Sequence, residues 1–474
     1  MAAVRVFHVR RPRWRRPLTI AAIALAAVIA IVGLVPWSCA SRPGDRASLN
    51  REVTAAAAVD ADDLARGRRD FYAEDFGNEV FFSDVMGVLR GPLRAWPAAR
   101  ALFKLRGAGT TDLEIELAED LTIGGQTFAR GSKLGTGLDV AAGSFLPLGV
   151  VVHMSRYELR VGITCALCHS TVDPETKQVI HGAANSDLQA GLLVALAPNS
   201  AAFRAHTDIA PLPDLAAVEA AVDRTLAAWP PGSFDATLDG AANPTRIPDV
   251  FVHEEAPYGW TGSSRAGPLS GLALYINGPT ALHAVSAPYV EPPEWQRIVA
   301  MAAWQDALRP PEVVVDAAAA ARGRQVFTRA GCERCHAGPA YTTQSVLPHA
   351  RVGTDPARAN GQSGYKIPGL VGLWWSAPYL HDGGVAVAPG ESVVGVGNIR
   401  ARGFPLDPRA SLRALLDREL RARVIAANHA DTARWELHVR GVGHEFWVDP
   451  GAGFTPAEQG ALVEHLLSLR IPGG

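Results

Sequence analysis

The stretch DAAAAARGRQVFTRAGCERCH, Asp316–His336, decides how the rest of the chain is read. Its first part is a helix leading up to the motif. Gly323 and Phe327 stand four residues apart, on one face of that helix. The helix runs into Cys332-Glu333-Arg334-Cys335-His336, a C-x-x-C-H string. Two thiols one turn apart, followed at once by an imidazole, are what covalent attachment of a c-type haem requires. The thiols reach the two vinyl groups of one porphyrin, and the adjacent His lies under the iron.

The string occurs twice. Cys165-Ala166-Leu167-Cys168-His169 is the other copy, and the two together use four of the five cysteines in the chain. Three other readings compete. Four thiols can form one zinc tetrathiolate, which leaves the two histidines without a purpose. Each pair can form a redox disulfide, but the flanks lack the strand-to-helix context of such sites. Coincidence is a poor account of two copies.

More than the C-x-x-C-H strings repeats. Ala65-Arg66-Gly67 with Phe71 matches Ala321-Arg322-Gly323 with Phe327 at the same offsets. Arg246-Ile247-Pro248 precedes Ala256-Pro257-Tyr258-Gly259-Trp260-Thr261-Gly262, and Lys366-Ile367-Pro368 precedes Ala377-Pro378-Tyr379-Leu380-His381-Asp382-Gly383. Such self-similarity implies one structural unit used twice. The expected fold is mostly α, with two cytochrome c-like haem domains in tandem at 61–312 and 313–474. The first copy carries a long insert between Phe71 and Cys165. Within that insert, DLEIELAEDLTIGGQTFARGSKL alternates like strands around a Gly-Gly turn, which predicts a small hairpin. The last helix has its start marked by Thr455, Pro456 and Glu458.

The N-terminus has a different character. Residues 1–17 carry Arg5, Arg10, Arg11, Arg13, Arg15 and Arg16, and the uncharged run 18–37 is long enough to span a bilayer. The positive-inside rule then puts everything after the linker 38–60 outside, on the periplasmic face of an inner membrane. A cleaved signal peptide is the competing reading. Net charge is −2, so no basic field points to nucleic acid.

These motifs resemble the bacterial dihaem cytochrome c peroxidases, together with the methylamine-utilisation and rubber-oxygenase relatives. The strings that carry the resemblance are the two C-x-x-C-H motifs, N-P-T-R-I-P with Y-G-W-T-G, and K-I-P-G-L with S-A-P-Y-L-H-D-G-G. The resemblance implies two covalent haems, one taking electrons from a redox partner protein or quinol-linked donor. The other then meets peroxide or oxygen. It makes Trp260 the residue that carries charge between them. It also implies a calcium ion at the domain boundary, at the side chain of Asn243 and the carbonyls of Ser376 and Pro378.

The chain departs from the peroxidases in two places. Its methionines are Met1, Met86, Met154 and Met301, so none follows Cys332 to ligate the second haem. His444, in Gly443-His444-Glu445-Phe446, is the first candidate for that position and His381 the second. After Trp260, His283 is the candidate for proton transfer at the first haem, because the only carboxylate between Thr261 and Pro292 is Glu291. His181 is the candidate that would instead fill the sixth position there, which would make the chain a non-catalytic, membrane-tethered electron-transfer cytochrome.

Overall fold

In the computed structural model, the repeat appears as two pairs of crossed helices. The structure describes residues 60–154, 158–210, 212–235, 242–251, 295–359 and 364–471. Helix α1 (Ala61–Ala73) packs on α2 (Trp295–Asp306), and α3 (Ala317–Arg329) packs on α4 (Pro456–Leu467). Each pair crosses at a glycine. A Cβ on Gly67 would lie 2.0 Å from the Ala300 carbonyl oxygen, and one on Gly323 would lie 2.0 Å from that of Ala461. No other residue type permits an approach this close.

One turn further on, the aromatic of each first helix is buried. Phe71 stacks on Trp304 with centroids 4.7 Å apart, and Phe327 meets His465 at 5.5 Å. The starts are capped as the side chains dictate. Asp60 and Asp63 form a capping box on α1, Asp316 accepts from the Ala318 and Ala319 amides, and Thr455 with Glu458 boxes α4. The described residues form one compact unit.

The mostly α expectation is corrected. Among the described residues helix takes 43% and strand 12%. Twelve short strands pair into six separate two-stranded ladders among the described residues. The insert is the main cause. There β1 (Glu114–Glu116) pairs with β4 (Lys133–Gly135) around the hairpin of β2 (Leu121–Ile123) and β3 (Gln126–Phe128). That hairpin turns on Gly124 and Gly125, both at positive φ, as a two-residue turn demands. Next come β5 (Val150–Met154) with β6 (Leu159–Ile163), then β7 (Ser170–Val172) with β8 (Val179–His181). Two more ladders, β9 (Ser233–Phe234) with β10 (Thr245–Arg246) and β11 (Val346–Pro348) with β12 (Gly364–Lys366), each lead into an Ile-Pro string.

The transmembrane part of the expectation is not carried by this fold. Among the described residues no helix is long and apolar enough to cross a membrane, and the run 18–37 lies outside them.

Candidate functional site

Both C-x-x-C-H strings open onto one continuous cavity of about 1180 Å3, larger than the pocket of a typical single small ligand. Cys165, Cys168, His169, Cys332, Cys335 and His336 all line it.

The first string is a single helical turn, Cys165–His169, that follows directly from β6 and feeds β7. Thr164 caps it, its hydroxyl oxygen accepting from the Ala166 amide at 3.3 Å. Gly149 lets β5 lie against the turn, since a Cβ there would fall 1.9 Å from the Leu167 nitrogen. Protein surrounds Cys165 and Cys168, while their accessible surface faces the cavity. This enclosure pushes each thiol up to about 12.

The second string starts where Gly331, at φ 72°, ends α3. The His336 amide donates to the Cys332 carbonyl at 2.9 Å. Burial pushes the Cys332 thiol up to about 11.

The structure separates the readings left open by the strings. All four cysteines are free thiols, so neither pair is a disulfide. Among the described residues no three Cys or His side chains converge on one point, so the thiols do not form a tetrathiolate site.

The two Ile-Pro strings have a shared task that spacing did not show. His169 Nδ1 lies 2.9 Å from the Pro248 carbonyl. His336 Nδ1 lies 3.1 Å from the Tyr341 carbonyl, and the Pro368 carbonyl also draws on that ring. A carbonyl accepts only, so Nδ1 must carry the proton and Nε2 keeps its lone pair for a metal. Desolvation pulls His336 below the ordinary histidine value, and the two carbonyls oppose that shift.

His444 faces His336. Their ring centroids are 6.3 Å apart, with the planes tilted by 47°. Two imidazoles on opposite sides of one ion, with bonds of about 2 Å and about 1.1 Å from nitrogen to ring centre, place centroids about 6 Å apart. His444 is surrounded by protein and lines the cavity. Desolvation, then repulsion from His336 and Arg421, pushes it down to about 3, so it is neutral as a ligand must be.

Its backbone is at φ 53°, next to Gly443 at φ 132°. For a non-glycine residue that conformation needs support. Arg421 Nη1 donates to the Gly441 and Gly443 carbonyls at 3.1 and 2.7 Å, and Asp382 Oδ2 accepts from the Arg440 and Gly441 amides at 2.8 Å each. The Asp of the H-D-G-G string thus holds the loop that carries His444. Sequence reading missed both residues. Asp382 had a signal, because it lies in a repeated string; Arg421 had none.

His381 also lines the cavity, but its ring stacks on Tyr365 at 4.6 Å, and desolvation pushes it down to about 4. His181 is turned away. Its Nδ1 is 2.5 Å from the Tyr72 hydroxyl and its Nε2 is 3.3 Å from Arg68 Nη2, so both ring nitrogens are engaged. It is not part of the cavity lining. Trp260 and His283 lie outside the described residues. Asn243 and Ser376, named for calcium, both line the cavity; the Ser376 hydroxyl donates to Asp249 Oδ2 at 2.5 Å.

Two guanidiniums complete the lining. Arg246 and Arg358 are 4% and 1% exposed, and burial lowers both from the ordinary arginine value. Among the described residues, Arg246 Nε and Nη2, and Arg358 Nε and Nη1, reach no acceptor. Buried charged donors without acceptors are costly. They fit a cofactor that brings its own carboxylates, as a haem brings two propionates.

No protein-family model matches the chain, and no curated protein matches it.

Proposed function

We propose that this chain is a dihaem c-type cytochrome related to the bacterial dihaem peroxidases. In this reading it passes electrons from the second site to the first, where peroxide or oxygen is reduced. The observation that carries the reading is the opposed pair His336 and His444 beside one of two C-x-x-C-H turns in a shared cavity.

Bound haem iron supplies reversible one-electron transfer. The residues of the chain do the rest. Cys165 and Cys168 at one site, and Cys332 and Cys335 at the other, would hold a porphyrin each through thioethers. The Pro248, Tyr341 and Pro368 carbonyls fix the tautomer and orientation of His169 and His336. Arg246 and Arg358 balance the propionates. His336 and His444 would hold the second iron, and two imidazoles in place of His and Met would set that site at a lower potential. The first site is walled by the insert, with Phe82, Val88, Leu93, Val150 and Val161 on the lining. Such a wall excludes water from the chemistry assigned to this side. Haem attachment outside the cytoplasm agrees with the basic, apolar N-terminus, and the electron donor is a redox partner protein or a quinol-linked one.

Haem staining after denaturing electrophoresis tests attachment. Staining is expected in the wild type, and Cys165→Ala and Cys332→Ala are each expected to lose about half of it, one of two sites. Full staining in either variant removes that site, and a chain that never stains removes the proposal.

A further inference from the structure

A second cluster lies on the outer side of the wall that encloses the first site. Asp75, Glu79 and His153 each offer one ligand atom, and these atoms all lie within 4.8 Å of one another. Asp75 follows α1, Glu79 sits in the short helix Asn78–Val80, and His153 is on β5. Asp75 is 6% exposed, and its Oδ2 lies 2.7 Å from His153 Nε2.

An ion pair between Asp75 and His153 is the simplest account, but it leaves Glu79 unexplained. Glu79 Oε2 is buried and has no hydrogen-bond partner among the described residues. The nearby Arg160 carries favourable charge, yet its hydrogen bonds go to Asp84 at 2.9 Å and Glu158 at 2.7 Å. A buried carboxylate oxygen without a donor, facing a second carboxylate, is unfavourable twice over. A cation between them removes both penalties.

The framework is also rigid in the way a ligand set requires. The Asn78 amide donates to the Ile163 carbonyl at 2.7 Å and accepts from the Ile163 amide at 2.8 Å. Ser83 Oγ accepts from the Val161 amide at 2.8 Å. The Gly77 amide donates to Asp75 Oδ1 at 3.1 Å, which leaves Oδ2 turned toward the cluster. Gly162 makes room for that oxygen, since a Cβ there would lie 2.0 Å from it.

We propose that Asp75, Glu79 and His153 form a binding site for one divalent transition-metal cation, separate from the haem sites. Two carboxylates and one imidazole are a borderline donor set that suits zinc better than magnesium or calcium, which prefer oxygen alone. Three protein ligands leave a fourth position to water. The site stands on β5 and β6, and β6 leads straight into Cys165, so an occupied site stiffens the wall of the first haem pocket.

Calorimetric titration of the full chain with zinc tests this. The wild type is expected to take one tightly bound zinc, displaced by neither magnesium nor calcium. Glu79→Gln keeps the shape and His153→Ala alters a side chain that is 50% exposed, so both should fold. Each is expected to weaken zinc binding at least about tenfold, with the haem absorbance unchanged. The proposal is overturned if the wild type takes up no zinc, if both variants bind it as the wild type does, or if magnesium competes equally.

Discussion

At the first C-x-x-C-H turn, His169 donates to the Pro248 carbonyl; at the second, His336 donates to Tyr341 beside Pro368. Each turn stands next to a helix pair that crosses at a glycine and buries an aromatic one turn later. Beyond that the two regions diverge. The first is closed in by strands of the insert. The second is faced by His444 on a loop that Arg421 and Asp382 hold in place. The shared parts are those that attach and orient a cofactor. The parts that differ decide what each site does with it.

The comparison breaks most strongly at Arg421. Its guanidinium is 2% exposed and donates to the Ala414, Gly441 and Gly443 carbonyls. Arg421→Met leaves those acceptors without donors and should cost about 3–5 kcal/mol. Thermal unfolding checks the loss. The spectrum of the second haem should change and that of the first should not. Equal disturbance of both would show that the loop is not particular to the second site.

A smaller effect tests what the two regions share. Gly67→Ala and Gly323→Ala each force a methyl onto a backbone carbonyl and should destabilise by about 2–3 kcal/mol. Denaturant unfolding of the two variants should give similar losses. A loss at one and none at the other would mean that the two crossings are not equivalent.

The smallest effect belongs to the first region alone. Burial pushes Asp139 up to about 8, against hydrogen bonds from Thr171 Oγ1 at 2.5 Å and the Val172 amide at 3.1 Å. The folded state keeps its proton up to about pH 8, whereas the unfolded chain loses it near 3.8. Stability from this group is therefore full below the unfolded value and falls as pH rises through the window between the two. Between pH 5 and 6 the fall should be about 1.3 kcal/mol, and Asp139→Asn should abolish it. Unfolding midpoints at the two pH values check the slope.

Much of the shared apparatus was legible in the sequence. The C-x-x-C-H spacing, the Gly-to-aromatic interval and the Thr455 cap are local patterns, and local geometry follows from them. The divergent parts were harder. The alternation around Gly124-Gly125 announces one hairpin in the insert, but the other strands, of two to five residues, have too little periodicity to announce themselves. His181 looked well spaced for a ligand, but its pairing with Ser170 in the β7–β8 ladder turns it toward Tyr72 and Arg68. Arg246, Arg358 and Arg421 are charged residues in a core, and nothing in a linear pattern marks a buried guanidinium. The pairing of His336 with His444 spans more than a hundred residues and depends on a loop at positive φ.

Paramagnetic resonance of the ferric full-length protein, compared with His444→Ala and His381→Ala, tests the central claim most directly. The wild type should show a low-spin haem held by two imidazoles. His444→Ala should convert that haem to high spin, and His381→Ala should leave it unchanged. Conversion by His381→Ala but not by His444→Ala would contradict the assignment, and a wild-type protein with no haem signal would contradict the whole account.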